Sequence, residues 1–154
     1  MIRSPCPPFT QETAIQKVRS LEDDWNTRDP TVVARASTLD VRWMHQAESL
    51  CGRDQIHAFL VHKWRREHDW RVINELWAFD GHRIAIRLVC EYHDGGDLWY
   101  RAYGSECCEF EPDGLVRRRF ATTCAHPIKA FERLLRWGPG RRPDEHAGVD
   151  DLAF

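Results

Sequence analysis

From Thr10 onward the apolar positions Ala14, Val18, Leu21 and Trp25 recur three or four residues apart. That spacing predicts a helix entered at Thr10, with Glu12 and Thr13 in its first turn, and stopped by the run from Asn26 to Pro30. A short second helix over Thr31 to Ala36 follows, with Pro30 at its entry. Val41 to His45 then alternates, which makes a first strand with Val41, Trp43 and His45 on one face. Gly52, Arg53 and Asp54 open a third helix, Gln55 to Glu67. In it Ile56, Phe59, Leu60, Lys63 and Trp64 form an apolar stripe and charges lie opposite. Four long strands follow over about 69–79, 83–93, 98–111 and 115–124. Asp80-Gly81, Asp94-Gly95-Gly96-Asp97 and Pro112-Asp113-Gly114 supply tight links between them. A last helix is expected from Ile128 to Arg136.

Helix, helix, strand, helix and then an antiparallel meander is a segregated order, which indicates an α+β fold with helices on one face of a sheet. Strands this long must curve, so the expected shape is a cone-shaped antiparallel sheet wrapped on three N-terminal helices. Residues 1–137 read as a single domain, with residues 1–9 a Pro-rich arm lying on it. Residues 138–154, GPGRRPDEHAGVDDLAF, read as a solvated C-terminal tail.

Composition narrows the partners. The 22 Lys and Arg against 24 Asp and Glu leave a net charge of −2, so no nucleic-acid partner is expected. No apolar run reaches membrane-span length, and MIRSPCPPFTQE lacks a signal-peptide core. Cys6, Cys51, Cys90, Cys107, Cys108 and Cys124 have neither an export signal nor CxxC spacing, so they read as reduced thiols in a cytoplasmic chain. His62 and Glu67 are five apart on a helix and share no face, so no metal site is expected.

The candidate chemistry begins with Glu106. On its strand it shares a face with Tyr100, Ala102, Gly104, Cys108 and Phe110, a mostly apolar set. A buried carboxyl there must be protonated, paired or used. Two readings stand: a pocket acid, or a structural ion pair with Arg87, Arg101 or Arg118. His45, at the end of the first strand, has a side chain suited to proton transfer near neutral pH, though a lone strand-end histidine is also an ordinary surface group. Trp25, Trp43, Trp64, Trp77, Tyr92 and Tyr100 all fall on inward faces, which makes either a thick core or the wall of a pocket for a flat apolar ligand. Val89 and Cys107 lie on the outer sheet face among Arg87, Glu91, Arg101 and Glu109.

Several stretches together resemble the nuclear transport factor 2-like superfamily, which includes SnoaL-like polyketide cyclases, ketosteroid isomerases and scytalone dehydratases. They are EDDWNTRDP (22–30), GRDQIHAFLVHKW (52–64), ELWAF (75–79), RIAIRLVCEYHD (83–94), WYRAYGSE (99–106) and GLVRRR (114–119). The resemblance spans about residues 9–137 and is nearest to an uncharacterised bacterial branch sharing ELWAF and RxYGxE. Branch members carry Trp where Cys108 stands, Glu at Phe120, and Ile-Asn-Asp at Thr123, Cys124 and Ala125. The departure implies a changed reaction, a changed substrate or a lost activity.

In ketosteroid isomerases an acid four residues before the phenylalanine preceding the turn is kept protonated and donates to the substrate oxyanion. Glu106 stands four residues before Phe110. The isomerase base corresponds to Trp43, and His45 faces the same way two residues later. The resemblance therefore implies a cofactor-free lyase or isomerase acting on a small, largely apolar cyclic substrate. In it His45 would abstract a proton and Glu106 would donate to the oxyanion, with Trp25, Trp43, Trp64, Trp77, Tyr92, Tyr100 and Cys108 around the substrate. The alternative is a non-catalytic small-molecule-binding or interaction module. A two-fold homodimer through the sheet is usual in the superfamily and expected here.

Overall fold

Thr10 caps α1 (Gln11–Asn26) reciprocally with Thr13, each side chain bonding the other's backbone N–H. Asp29 caps α2 (Pro30–Arg35), accepting from Thr31 and Val32. The chain continues through β1 (Ser37–His45), β2 (Glu48–Cys51) and α3 (Gly52–Arg66), then β3 (His68–Asp80), β4 (Arg83–His93), β5 (Trp99–Phe110) and β6 (Val116–Ile128). This architecture comes from a computed structural model that describes residues 1–152 and residue 154.

The six strands form one sheet in the order β2-β1-β6-β5-β4-β3. All neighbours are antiparallel except β1 and β6, which run parallel. Register shifts at Ser37/Arg42, Leu76/Ala78 and Glu109/Phe110 put bends into long strands and help curl the sheet. Gly104 sits where β5 and β6 press closest: a Cβ there would lie 2.2 Å from the Thr122 carbonyl oxygen. The main core fills the concave face, where Val18, Leu21 and Trp25 of α1 meet Ile56 and Leu60 of α3 and Ile84 and Ile86 of β4. Helix α1 also guards the β3 edge. Asn26 bonds both the N–H and the C=O of Val72, and Glu22 accepts from the N–H of Asn74, so this stretch of edge is already paired.

The C-terminal expectations need correcting. Residues 128–136 do not form a helix. Strand β6 runs on to Ile128, a single 3-10 turn covers Ala130–Glu132, and the chain then crosses the convex face of the sheet. The segment expected to be a solvated tail is packed there. Leu135 and Val149 join Ile73 and Val89 in a second apolar cluster, with Trp137, Leu152 and Phe154 against it. Its anchors are charged side chains. Glu91, 1% exposed, accepts from the N–H groups of Leu134 and Leu135 and from Arg101. Glu22, fully buried, pairs with Arg142 at 2.7 Å. Part of the outer face is thus covered from within the chain. Another part, with Met44, Phe120 and Cys107, stays exposed. Among the described residues no helix is long and apolar enough to cross a membrane.

Candidate functional site

The concave face holds a cavity of about 50 Å³ whose lining includes Trp25, Trp70, Glu106 and Arg119. It adjoins an open cleft of about 1070 Å³. Five residues line both spaces and so form the neck between them: His45, Lys63, Glu67, Tyr92 and Thr123. They come from the ends of β1 and α3 and from β4 and β6.

Glu106 is buried, 3% exposed, and it is not alone. Arg119 stands opposite Cys108 on the neighbouring strand, hence on the same concave face. Its Nε and Nη2 both approach Glu106 Oε2, at 2.7 and 2.5 Å. The guanidinium is itself 5% exposed as a residue and lies against the rings of Trp25 and Trp43, 4.9 and 4.6 Å from their centroids. Those two indoles stack at 5.8 Å. This is a buried ion pair in which two guanidinium nitrogens share one carboxylate oxygen, with the guanidinium lying against aromatic faces. Both contacts go to Oε2, so Oε1 has no partner among the described residues in a carboxyl group that lines the cavity. The expected isolated, protonated donor is therefore corrected to an acceptor tied to Arg119. The partners weighed from sequence, Arg87, Arg101 and Arg118, all fall on the convex face by register.

His45 sits at the neck with Phe59 4.9 Å from its ring. Its Nδ1 lies 3.4 Å from Arg119 Nη1. A guanidinium can only donate, so Nδ1 is the acceptor and the ring proton belongs on Nε2. Burial, then the charges of Arg119 and Lys63, push His45 down to about 3. A neutral imidazole of that kind is a poor base and a good Nε2–H donor. The structure thus brings Glu106 and His45 together through Arg119, and it opposes the role of base expected for His45.

The aromatic expectations divide. Trp25 lines the cavity, Tyr92 the neck, and Tyr100 the cleft, with the two phenols stacked at 5.4 Å. Burial and nearby Glu67 push the Tyr92 phenol up. Trp43 lies behind Trp25, and Trp64 packs edge-on to Trp25 and Trp70 without lining the cavity. Trp77 is a miss. It occupies the register shift between Leu76 and Ala78, and the extra residue turns it outward, 68% exposed. Cys108 is buried beyond Glu106, where burial pushes its thiol well up, so it is packing and not a reactive group. Of the other departing positions, Thr123 and Ala125 line the cleft, while Phe120 and Cys124 are exposed on the convex side.

Sequence reasoning did not single out Arg119, Trp70 or the Lys63–Glu67 pair. The Lys63 and Glu67 side chains meet at 2.6 Å, both largely buried at the neck, and the ammonium stands 5.6 Å over the Trp70 ring. Trp70 Nε1 is buried without a partner among the described residues. Arg119 was hidden in the run Arg117-Arg118-Arg119, where alternation alone cannot tell which of the three points inward. Register counted from the Pro112–Gly114 turn, with the shift at Glu109/Phe110 allowed for, would have found it. Among the described residues no group of three or more His, Cys, Asp or Glu side chains is placed to hold a metal ion.

A family model described as "Protein of unknown function (DUF1348)" matches residues 7–136. No curated protein sequence matches the chain. Similar solved structures include a SnoaL-like protein of unknown function from Burkholderia thailandensis. It is 20% identical with a TM-score of 0.63, covering 76% of this chain and 98% of that one. A hypothetical protein with a ketosteroid isomerase-like fold from Catenulispora acidiphila, in complex with trimethylamine, is 14% identical with a TM-score of 0.63 over 69% and 83%. An M. tuberculosis LEH-like epoxide hydrolase is 16% identical with a TM-score of 0.60 over 72% and 82%. The fold is that of the nuclear transport factor 2-like superfamily.

Proposed function

We propose, for a chain that belongs to the DUF1348 family of proteins of unknown function, cofactor-free proton transfer on a small oxygen-bearing substrate, as an isomerase or lyase. The observation that carries this is the asymmetric Glu106 carboxylate. One oxygen is held by Arg119, the other has no hydrogen-bond partner among the described residues, and the residue lines a cavity together with His45. A carboxylate oriented in this way is built to accept a proton, and a neutral imidazole with its proton on Nε2 is built to donate a hydrogen bond. The roles are therefore the reverse of those the sequence implied.

In the proposed reaction Glu106 Oε1 takes a proton from the carbon beside a substrate carbonyl. The C–H electron pair becomes a C=C bond and the carbonyl oxygen takes the negative charge, held by His45 Nε2–H. The proton then returns to a carbon of the substrate, which is isomerisation, or a leaving group departs from the neighbouring carbon, which is elimination. Arg119 positions the base. That one of the similar structures is described as an epoxide hydrolase fits chemistry on an uncharged oxygen function.

A second reading, a binding module without turnover, is favoured by the same Arg119 pairing, which gives Glu106 a structural partner independent of any substrate. The two are separated by deuterium exchange in D₂O at the carbons beside the carbonyl of 4-phenylbutan-2-one, followed by proton NMR. The wild-type protein is expected to speed exchange and Glu106→Gln to abolish the gain. A wild-type protein that binds the ketone without speeding exchange overturns the catalytic reading.

For assembly we keep a homodimer through the sheet, confined to its uncovered part. Met44, Phe120 and Cys107 sit side by side in register there and are exposed.

A further inference from the structure

The neck carries information about which molecules the cavity admits. The inner chamber, at about 50 Å³, is far below the roughly 150 Å³ that holds a benzene ring in a protein interior. A ring therefore does not enter. What fits is a head of a few heavy atoms, with the rest of the molecule lying in the cleft against Phe59, Tyr92 and Tyr100. The expected cyclic substrate bound inside the cone is thereby reduced to one whose ring stays outside the neck.

Charge narrows the class further. Every cation facing the chamber already has an acid: Arg119 holds Glu106, and Lys63 holds Glu67. An incoming carboxylate finds both cations neutralised and meets the free Oε1 of Glu106. An incoming ammonium meets Arg119 and Lys63. Either ion loses its water in a chamber whose charges already balance, so the attraction of one group is offset by the repulsion of its paired opposite. An uncharged carbonyl, hydroxyl or epoxide loses much less and finds a donor in His45 Nε2–H.

The Lys63–Glu67 pair spans a single turn, from α3 to the residue that ends it. We propose that this pair is the selectivity gate of the chamber. It passes a small uncharged oxygen-bearing head and turns away both carboxylates and ammonium groups. The proposal rests on the chamber being the ligand site but does not require turnover.

Three isosteric probes test it: 4-phenylbutan-2-one, 3-phenylpropanoate and 4-phenylbutan-2-amine, with dissociation constants measured by calorimetry at pH 7.5. The ketone is expected to bind at least ~10-fold more tightly than either ion, which corresponds to about 1.4 kcal/mol. Glu67→Gln leaves Lys63 unpaired, so 3-phenylpropanoate should gain about tenfold or more on the ketone. Lys63→Met leaves Glu67 unpaired, so the amine should gain instead. Equal binding of ketone and ions by the wild-type protein overturns the proposal. So does a preference that neither variant shifts, in protein confirmed folded by circular dichroism. Selectivity that behaves as stated without deuterium exchange would remove the proposed reaction and leave the gate standing. Exchange with no charge selectivity would do the opposite.

Discussion

Replacing Arg119 by methionine removes one partner of a pair whose side chains are 6% and 3% exposed and keeps most of the packing against Trp25 and Trp43. It leaves Glu106 buried with no cation beside it. Breaking a buried pair from one side costs about 3–5 kcal/mol, because the remaining charge keeps its desolvation penalty. For a chain of this size each kcal/mol moves the melting temperature by roughly 2–4 °C, so Arg119→Met should melt about 6–20 °C lower near neutral pH. The loss should shrink at acid pH, where an unpaired carboxyl can take up a proton and shed its charge. Glu106→Gln leaves the guanidinium unpaired and should also destabilise. The double variant removes both charges and should recover much of the loss, with a coupling of about 2 kcal/mol or more. The assay is urea unfolding of the four proteins at pH 7 and pH 4.5, with equal m-values as the check that one transition is compared. A coupling below ~0.5 kcal/mol, or an Arg119→Met loss under ~1 kcal/mol, would falsify the view that this pair organises the site.

Other outcomes follow from the same structure. His45, pushed down to about 3, binds no proton when the unfolded chain does, so it should make stability fall as pH drops from about 6.5 toward 3. The slope should flatten in His45→Gln, and nitrogen NMR should show an Nε2-protonated neutral ring at pH 5.5; a doubly protonated ring there would contradict the neck geometry. Ending the chain at Trp137 removes Val149, which is 1% exposed, and Arg142, the partner of buried Glu22. A stability loss of at least ~2 kcal/mol and new dye binding at Ile73 and Val89 are expected, and an unchanged melting curve would show the segment contributes nothing. Sedimentation at micromolar concentration should give a dimer for the wild type and a monomer for Phe120→Glu, whereas a wild-type monomer would remove the sheet-face assembly.

How much of this was legible in the sequence depended on whether local chemistry or long-range register decided the matter. The Thr10 cap, the Asp-Gly and Pro-Asp-Gly turns and the helical stripes act over a few residues, so α1, α3 and the β3–β6 meander were readable to within a few positions. Strand β2 was missed because Glu48-Ser49-Leu50-Cys51 is too short to show alternation. Trp77 was expected to face inward with the other aromatic residues, but one extra residue between Leu76 and Ala78 puts it outward. Glu106 was found because its face is apolar. Arg119 needed the β5–β6 register, and the covered outer face needed a segment rich in Gly, Pro and charge to be anchored by Glu22 and Glu91, two acids far away in the chain. Non-local partners of that kind leave no periodic trace.

The central claim is that Glu106 and His45 address one ligand head from two sides of the chamber. A crystal structure of the complex with 4-phenylbutan-2-one tests it most directly. The account predicts the carbonyl oxygen within about 3.2 Å of His45 Nε2, a neighbouring carbon about 3–3.5 Å from Glu106 Oε1, and the phenyl ring outside the neck. A ketone seated with its carbonyl turned to solvent, or with Arg119 drawn away from Glu106 to hold it, would contradict the account.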